Sequence, residues 1–443
     1  MSTPSPIAAR ADAPPQGWRW APAWVIAFVA LWPAPGYAEG VMVLGALAAI
    51  VRLLLARFRG GTRLLSGPAW ALTSVLFFAY WMPEVLSSVD AVDRARALKE
   101  SVVDLRYLPF LWLAAAAVAD ARARRITFTG LGIIVCAWTL DALAQAVFGT
   151  SALFAGIDAV KMAMSGHGMC PAGGDTLLRD RLSGVLGPCN LKLGLVLASL
   201  SPFALHAASR RFGAVGWLAA AAAVGLVVLL AGSRASWITY GLVLLFSGWR
   251  MLGWKKLLLV FAFGAVVLAA LFLGVPQVRE RVERTTHALT AHDPQDGMEV
   301  ALSGRTRIWG AAACMARAHP LNGVGARGFR EAFPACDPQP GVRAAWGNGP
   351  ALHAHQVVLE ILSETGLLGL LLWLAGAAMA WRAWRYADRD ARDRARPAML
   401  ALAVTVFPLN THLAFYSTFW GGLTLLLAAL YAGSLLARDE SRD

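Results

Sequence analysis

About twelve stretches of mostly apolar residues recur along this chain, each near the ~20 residues a helix needs to cross a ~30 Å hydrocarbon layer. They fall at roughly 20–34, 38–57, 67–86, 101–119, 127–148, 187–207, 213–232, 236–250, 256–275, 356–381, 396–413 and 418–437. Such a pattern leaves little choice of fold. In lipid every backbone N–H and C=O has to be satisfied within its own segment or a closed barrel, and spans of this length do so as helices. With 58% of 443 residues hydrophobic, the expected class is an all-α polytopic membrane protein, not a soluble enzyme.

Arginine placement gives the orientation. The connections near Arg52–Arg63, Arg122–Arg125, Arg210–Arg211, Arg250–Lys256 and Arg382–Arg396 are basic, whereas Pro33–Glu39 and Asn410–Ser417 hold no Lys or Arg. The positive-inside rule then puts both termini in the cytoplasm. No apolar run with a small-residue cleavage site opens the chain, so the first span is expected to act as a retained anchor. The net charge of +13 follows from this topology, and no nucleic acid partner is expected.

Residues 277–355 interrupt the apolar series between the ninth and tenth spans. The expected organisation is therefore 1–276 with nine spans and a smaller outward loop at 149–186, then the outward insert 277–355, then 356–443 with the last three spans. Nine arginines and no lysine lie between Arg279 and Arg343, but arginine outnumbers lysine 35 to 5 along the whole chain, so the bias alone says nothing about phosphate. Within the insert, Arg279–Arg284 reads as helix and His292–Gly297 as loose chain. Ser303–Arg317 reads as a helix stopped by Pro320, and Pro334, Pro338, Pro340 and Gly341 read as loop up to the next span. Cys170 and Cys336 both fall in outward loops, where a disulfide between them would persist, although spacing does not fix connectivity. Polar chemistry gathered at one face of an apolar bundle points to a substrate with a lipid tail and a charged head.

The candidate residues sit at that face. Arg234 lies in the short outward turn between the seventh and eighth spans, where it either snorkels beside Trp237 or meets an anion. Arg305 and Trp309 are spaced i, i+4 and share a helix face, while Arg307 points away. Arg106 is expected about one turn inside the fourth span, with Lys99 seven residues earlier on the same face; intramembrane cations are functional candidates, and pairing with Asp104 or Asp93 is the plainer alternative. Arg181, Gly184, Pro188 and Asn190 open the sixth span from the outward side. His353 and His355 are too few to hold zinc, but His355, at the head of the tenth span, can take a proton from a sugar hydroxyl. Asp388-Arg389-Asp390 has the acid spacing of a nucleotide-sugar metal site but lies in a mixed-charge cytoplasmic run and reads as a solvated loop.

Together these pieces resemble the O-antigen ligase family and its wider superfamily of O-antigen polymerases and protein O-oligosaccharyltransferases. The resemblance rests on Arg181-x-x-Gly184 with Pro188 and Asn190, then Gly232-Ser233-Arg234, then Arg305-x-x-x-Trp309, Pro320 and Gly323-x-Gly325 with Phe329. It ends on His355-Gln356-x-x-Leu359-Glu360 and Glu364-x-Gly366-Leu367-Leu368-Gly369. Two departures stand out: Gln356 replaces the family's usual Asn after the motif histidine, and Cys189 separates Pro188 from Asn190. The resemblance implies inverting transfer of a glycan from undecaprenyl pyrophosphate to a lipid A–core sugar hydroxyl at the periplasmic face of the inner membrane, with no metal or cofactor. Arg234, Arg305 and Arg181, with Arg106 and Lys99, would bind the pyrophosphate. His355 would act on the acceptor, and His353, Asn190 and Trp309 would support it. A polysaccharide or lipid transporter is the reading from another class; it expects charges near mid-membrane, whereas these sit at the outward edge.

Overall fold

A computed structural model describes residues 18–59, 64–170, 181–274, 304–344, 349–408 and 414–437, with positions 279, 283, 346, 410 and 411. Among the described residues the regular elements are helical and no β-strand forms. In chain order they are α1 (Ala21–Ala30), α2 (Pro35–Arg59), α3 (Gly67–Ser87), α4 (Arg94–Asp104), α5 (Tyr107–Ala116), α6 (Ala121–Phe148) and α7 (Ala152–Ser165). There follow α8 (Leu193–Leu230), α9 (Arg234–Leu252), α10 (Trp254–Gly274), α11 (Arg305–Ala318), α12 (Phe329–Cys336), α13 (Val357–Tyr386), α14 (Arg389–Thr405) and α15 (Thr418–Leu435).

Among the described residues seven helices (α2, α3, α6, α8, α10, α13 and α15) are long and apolar enough to cross a membrane, and the chain is a multi-pass membrane protein. The other expected spans divide differently. α8 contains two of them, broken at Gly213, where φ is 60°. Its two ends return to one another, since Gly194 lies against Ala231 and Ser236. The first and fourth spans become the ten-residue helices α1 and α5. The fourth does not start at residue 101: α4 ends at Asp104 and α5 begins at Tyr107. That break removes the continuous helix on which Lys99 and Arg106 were to share a face.

The central helix is α15, buried on all sides from Trp420 to Leu435, as a helix apolar all round has to be. It packs against α3, α5 and α14, while α13 lies along α3 and α6 along α8. The outer helices expose leucine, valine and phenylalanine, such as Leu44, Leu47 and Val51 on α2 and Leu259, Phe263 and Val266 on α10. That much exposed apolar surface is stable only against lipid.

α11 and α12 build a second, smaller core. The buried residues Ile308, Ala311, Ala312 and Met315 recur at helical spacing on α11 and meet Phe329 and Phe333 of α12. Each large side chain buried there contributes roughly 1.5–3 kcal/mol. Within the described residues the helix expected from Ser303 to Arg317 is present as Arg305–Ala318, ending before Pro320. Pro334, by contrast, lies inside α12 and not in a loop. Burial of Phe329, Ala332 and Phe333 holds that short helix. So does the disulfide from Cys336 at its end to Cys314 on α11. Cys170 and Cys336 are therefore not bonded to each other: Cys170 pairs with Cys189, and both bridges close local loops. The stretches expected as helix at 279–284 and as loose chain at 292–297 lie outside the described residues, apart from Arg279 and Glu283.

Candidate active site

Arg305 is the first residue of α11, entered through Gly304 in the left-handed region at φ 80°. Its Nη1 donates to Thr411 Oγ1 at 2.8 Å. Burial first, and the charge of Arg234 second, lower the Arg305 guanidinium from its ordinary pKa. A guanidinium does not deprotonate in a protein. The physical content is therefore a partly desolvated guanidinium within the field of a second one. Arg234 opens α9 directly after Ser233. Arg307 points the other way, as its spacing predicted, and grips both Asp337 oxygens at 2.7 and 2.6 Å.

One turn on from Arg305, Trp309 Nε1 donates to the Ala354 carbonyl at 3.1 Å. That bond fastens the His353-Ala354-His355 loop to the face of α11 that carries Arg305. The histidine rings lie 3.9 Å apart between centroids, in a turn and not a strand, with His355 at φ 54°. Gln356 then caps α13: its Oε1 accepts from Leu359 N at 2.5 Å, and its Nε2 donates to the Pro408 carbonyl at 3.1 Å. An amide still serves at this position, so the departure from Asn leaves the cap intact.

The glycine motifs explain why α11 and α13 meet in register. Val324 N and Gly325 N donate to the carbonyls of Ser363 and Glu364, each at 2.9 Å, while Leu367 N and Leu368 N donate to those of Pro320 and Leu321 at 2.9 and 3.0 Å. This interlock sits where α13 breaks at Gly366, φ 66°. Any Cβ on Gly323 would strike the Glu364 carbonyl, and one on Gly366 that of Leu321. The segment Pro320–Gly325 is thus a clamp, not a ligand loop.

Arg181 and Asn190 belong to the loop leading into α8. Gly184 N donates to Gln145 Oε1 at 2.7 Å, and Asn190 Oδ1 accepts from Lys192 N at 3.3 Å. The contact of Gly194 with Ser236 brings this loop's exit beside the Arg234 turn. Cys189, the second departure, is accounted for by its bridge to Cys170. Arg106 pairs with Glu39 at 3.6 Å instead of its chain neighbours Asp93 and Asp104, and stacks over Tyr107. Lys99 is exposed on α4. Asp388-Arg389-Asp390 is not the solvated loop expected: Asp388 is the N-cap of α14, accepting from Ala391 N at 2.6 Å, and Arg389 and Asp390 stand in its first turn.

Sequence reasoning missed Arg327. It sits at φ 60°, with its backbone N donating to Glu364 Oε2 at 2.7 Å and its Nε to the Tyr416 carbonyl at 2.6 Å. Its Nη atoms pair with Glu100 and lie 3.6 Å from Asp104. Glu360, from the same motif, accepts from Tyr416 N at 3.4 Å. One arginine therefore ties α4, the clamp, α13 and the segment before α15 together behind the site. Part of the signal was available: Asp104 and Glu364 lie within the apolar spans read from the sequence and are buried, and such carboxylates call for a cation.

Residues 194–374 match a family profile described as O-antigen ligase. The match takes in Arg234, Arg305, Trp309, His353 and His355, and leaves Lys99, Arg106, Arg181 and Asn190 outside. No curated protein matches the chain. With many apolar helices along the chain and the interlocked glycine motifs inside the matched region, residues 194–374 are similar to the O-antigen ligase family.

Proposed function

We propose that this protein is an O-antigen ligase. It transfers a glycan from undecaprenyl pyrophosphate to a sugar hydroxyl of lipid A–core oligosaccharide at the periplasmic face of the bacterial inner membrane. The observation that carries the reading is the meeting of Arg305, in the field of Arg234, with the His353–His355 loop through the Trp309–Ala354 hydrogen bond. Guanidiniums at this place supply paired donors to a diphosphate, and an imidazole stands beside them to serve an acceptor.

The reaction is a single displacement. His355 takes the proton of the acceptor hydroxyl as its oxygen attacks the anomeric carbon from the face opposite the leaving group. The bond from that carbon to the pyrophosphate oxygen breaks, and the electron pair leaves with the pyrophosphate, whose growing charge Arg305, Arg234 and Arg181 stabilise. Configuration inverts and no metal is required. Asn190 and Trp309 hold the frame, and His353 positions His355. In this reading Arg106 and Lys99 are peripheral.

The periplasmic placement is supported by the two disulfides, one beside the Arg181–Asn190 loop and one in the α11–α12 unit, because such bridges persist in oxidising compartments. The same reading keeps twelve crossings, counting α8 as two, and an outward insert at 277–355. The test is transfer by purified protein given undecaprenyl-pyrophosphate glycan and rough lipopolysaccharide, with EDTA present. Glycan on lipopolysaccharide supports a metal-independent ligase. Lengthening of the glycan on its lipid carrier would make the protein a polymerase instead, and transfer to a polypeptide alone an O-oligosaccharyltransferase.

A further inference from the structure

The end of the bundle opposite Arg305 carries a cavity that glycan transfer does not use. The start of α6, the break in α8 and the start of α14 enclose about 930 Å³ lined by six arginines and two aspartates, within the size range of small-molecule sites. Topology alone asks only that these loops be basic; it does not ask three distant chain segments to aim arginines into one hollow. Arg394 is committed to the end of α15, donating to the Ser434 and Ala437 carbonyls at 3.1 and 2.9 Å. Arg124 donates to the Val118 carbonyl at 3.3 Å, and Arg122, Arg125, Arg210 and Arg211 line the remainder.

The basic hollow shares the wall residues His206, Arg210 and Asp393 with a second cavity of about 380 Å³. Its further walls include Pro202, Leu205, Trp217, Met251 and Leu400. The second cavity also carries Arg250 and Arg396, both paired with Asp393, so arginines stand beside aliphatic and aromatic walls between helices, a combination that matches a molecule with an anionic head and an acyl chain. Basic pockets between membrane helices on the cytoplasmic side take such headgroups. We propose that this cleft binds an anionic glycerophospholipid, its phosphate on Arg122, Arg125 and Arg210 and an acyl chain along Leu205 and Trp217.

The test uses the full-length protein in neutral detergent, measuring affinity by native mass spectrometry and thermal unfolding with added phosphatidylglycerol, phosphatidylcholine or inorganic phosphate. Wild type should bind phosphatidylglycerol and be stabilised by it, with little response to the other two. The triple variant Arg122→Gln, Arg125→Gln, Arg210→Gln should bind it roughly a hundredfold more weakly, each surface charge being worth about a fivefold change. The triple Lys variant should retain binding, which separates lost charge from lost folding. Equal binding by wild type and the Gln variant would overturn the proposal and leave the arginines to topology. Equal stabilisation by inorganic phosphate would overturn the lipid assignment in favour of a free-anion site.

Discussion

Trp309 holds the backbone between the two histidines, its indole N–H on the Ala354 carbonyl at 3.1 Å, while Arg305 one turn earlier on the same face holds Thr411 at 2.8 Å. A single helix face thereby sets the distance between the proposed phosphate-binding group and the proposed base. Replacing Trp309 with Phe keeps the ring and loses that bond, worth about 1 kcal/mol. The expected result is transfer slowed about fivefold to tenfold at unchanged membrane level, read from initial rates of glycan appearance on lipopolysaccharide. An unchanged rate would mean that the histidine loop is held by something else.

Arg305 separates charge from geometry. Arg305→Ala should lower transfer about a hundredfold or more, the scale of removing a preorganised donor to a developing anion. Arg305→Lys should recover part of it, since an ammonium keeps the charge but not the paired donors. Equal activity of the Lys variant and wild type would remove paired recognition from the account.

Behind the site, Arg327 predicts a stability effect. Removing it strands Glu100 and Asp104, and breaking such a network costs about 3–5 kcal/mol. Arg327→Met should lower the thermal midpoint in detergent sharply. Arg96→Ala, which breaks the partly exposed pair with Glu331, should cost under about 1 kcal/mol. Similar effects from both would assign Arg327 no special place.

The α11–α12 unit should show an acid limb. Its hydrogen bonds with Arg307 hold Asp337 below its ordinary pKa. A depressed acid adds stability that is complete above its unfolded value of ~3.9 and is lost as pH falls through the lower folded value. Wild-type unfolding temperature should therefore drop more steeply than that of Asp337→Asn as pH is taken below ~4. Parallel curves would contradict the pairing.

How much of this could be read from the chain differs by element. The helical class followed from apolar length alone, and α11 from its apolar spacing and Pro320. The shared face of Arg305 and Trp309 followed from i, i+4. What Trp309 donates to did not, because Ala354 is 45 residues on and is brought near by the clamp at Gly323 and Gly366 and by the packing of Ala351 and Ala354 into the α11–α12 core. The Cys170–Cys336 bridge that outward placement would allow does not form because each cysteine has a partner about twenty residues away, a choice that local folding makes and spacing does not. The fourth span ran together α4 and α5 because the two-residue break at Leu105 and Arg106 carries no Gly or Pro to announce it.

The most direct test of the central claim measures donor binding and transfer separately in purified wild type, Arg305→Ala and His355→Ala, with a lipid-linked glycan donor and rough lipopolysaccharide. Arg305→Ala should lose both donor affinity and transfer, whereas His355→Ala should bind donor like wild type and fail to transfer. Transfer at the wild-type rate by His355→Ala, or undiminished donor affinity in Arg305→Ala, would contradict the division of labour between the phosphate-binding arginines and the histidine.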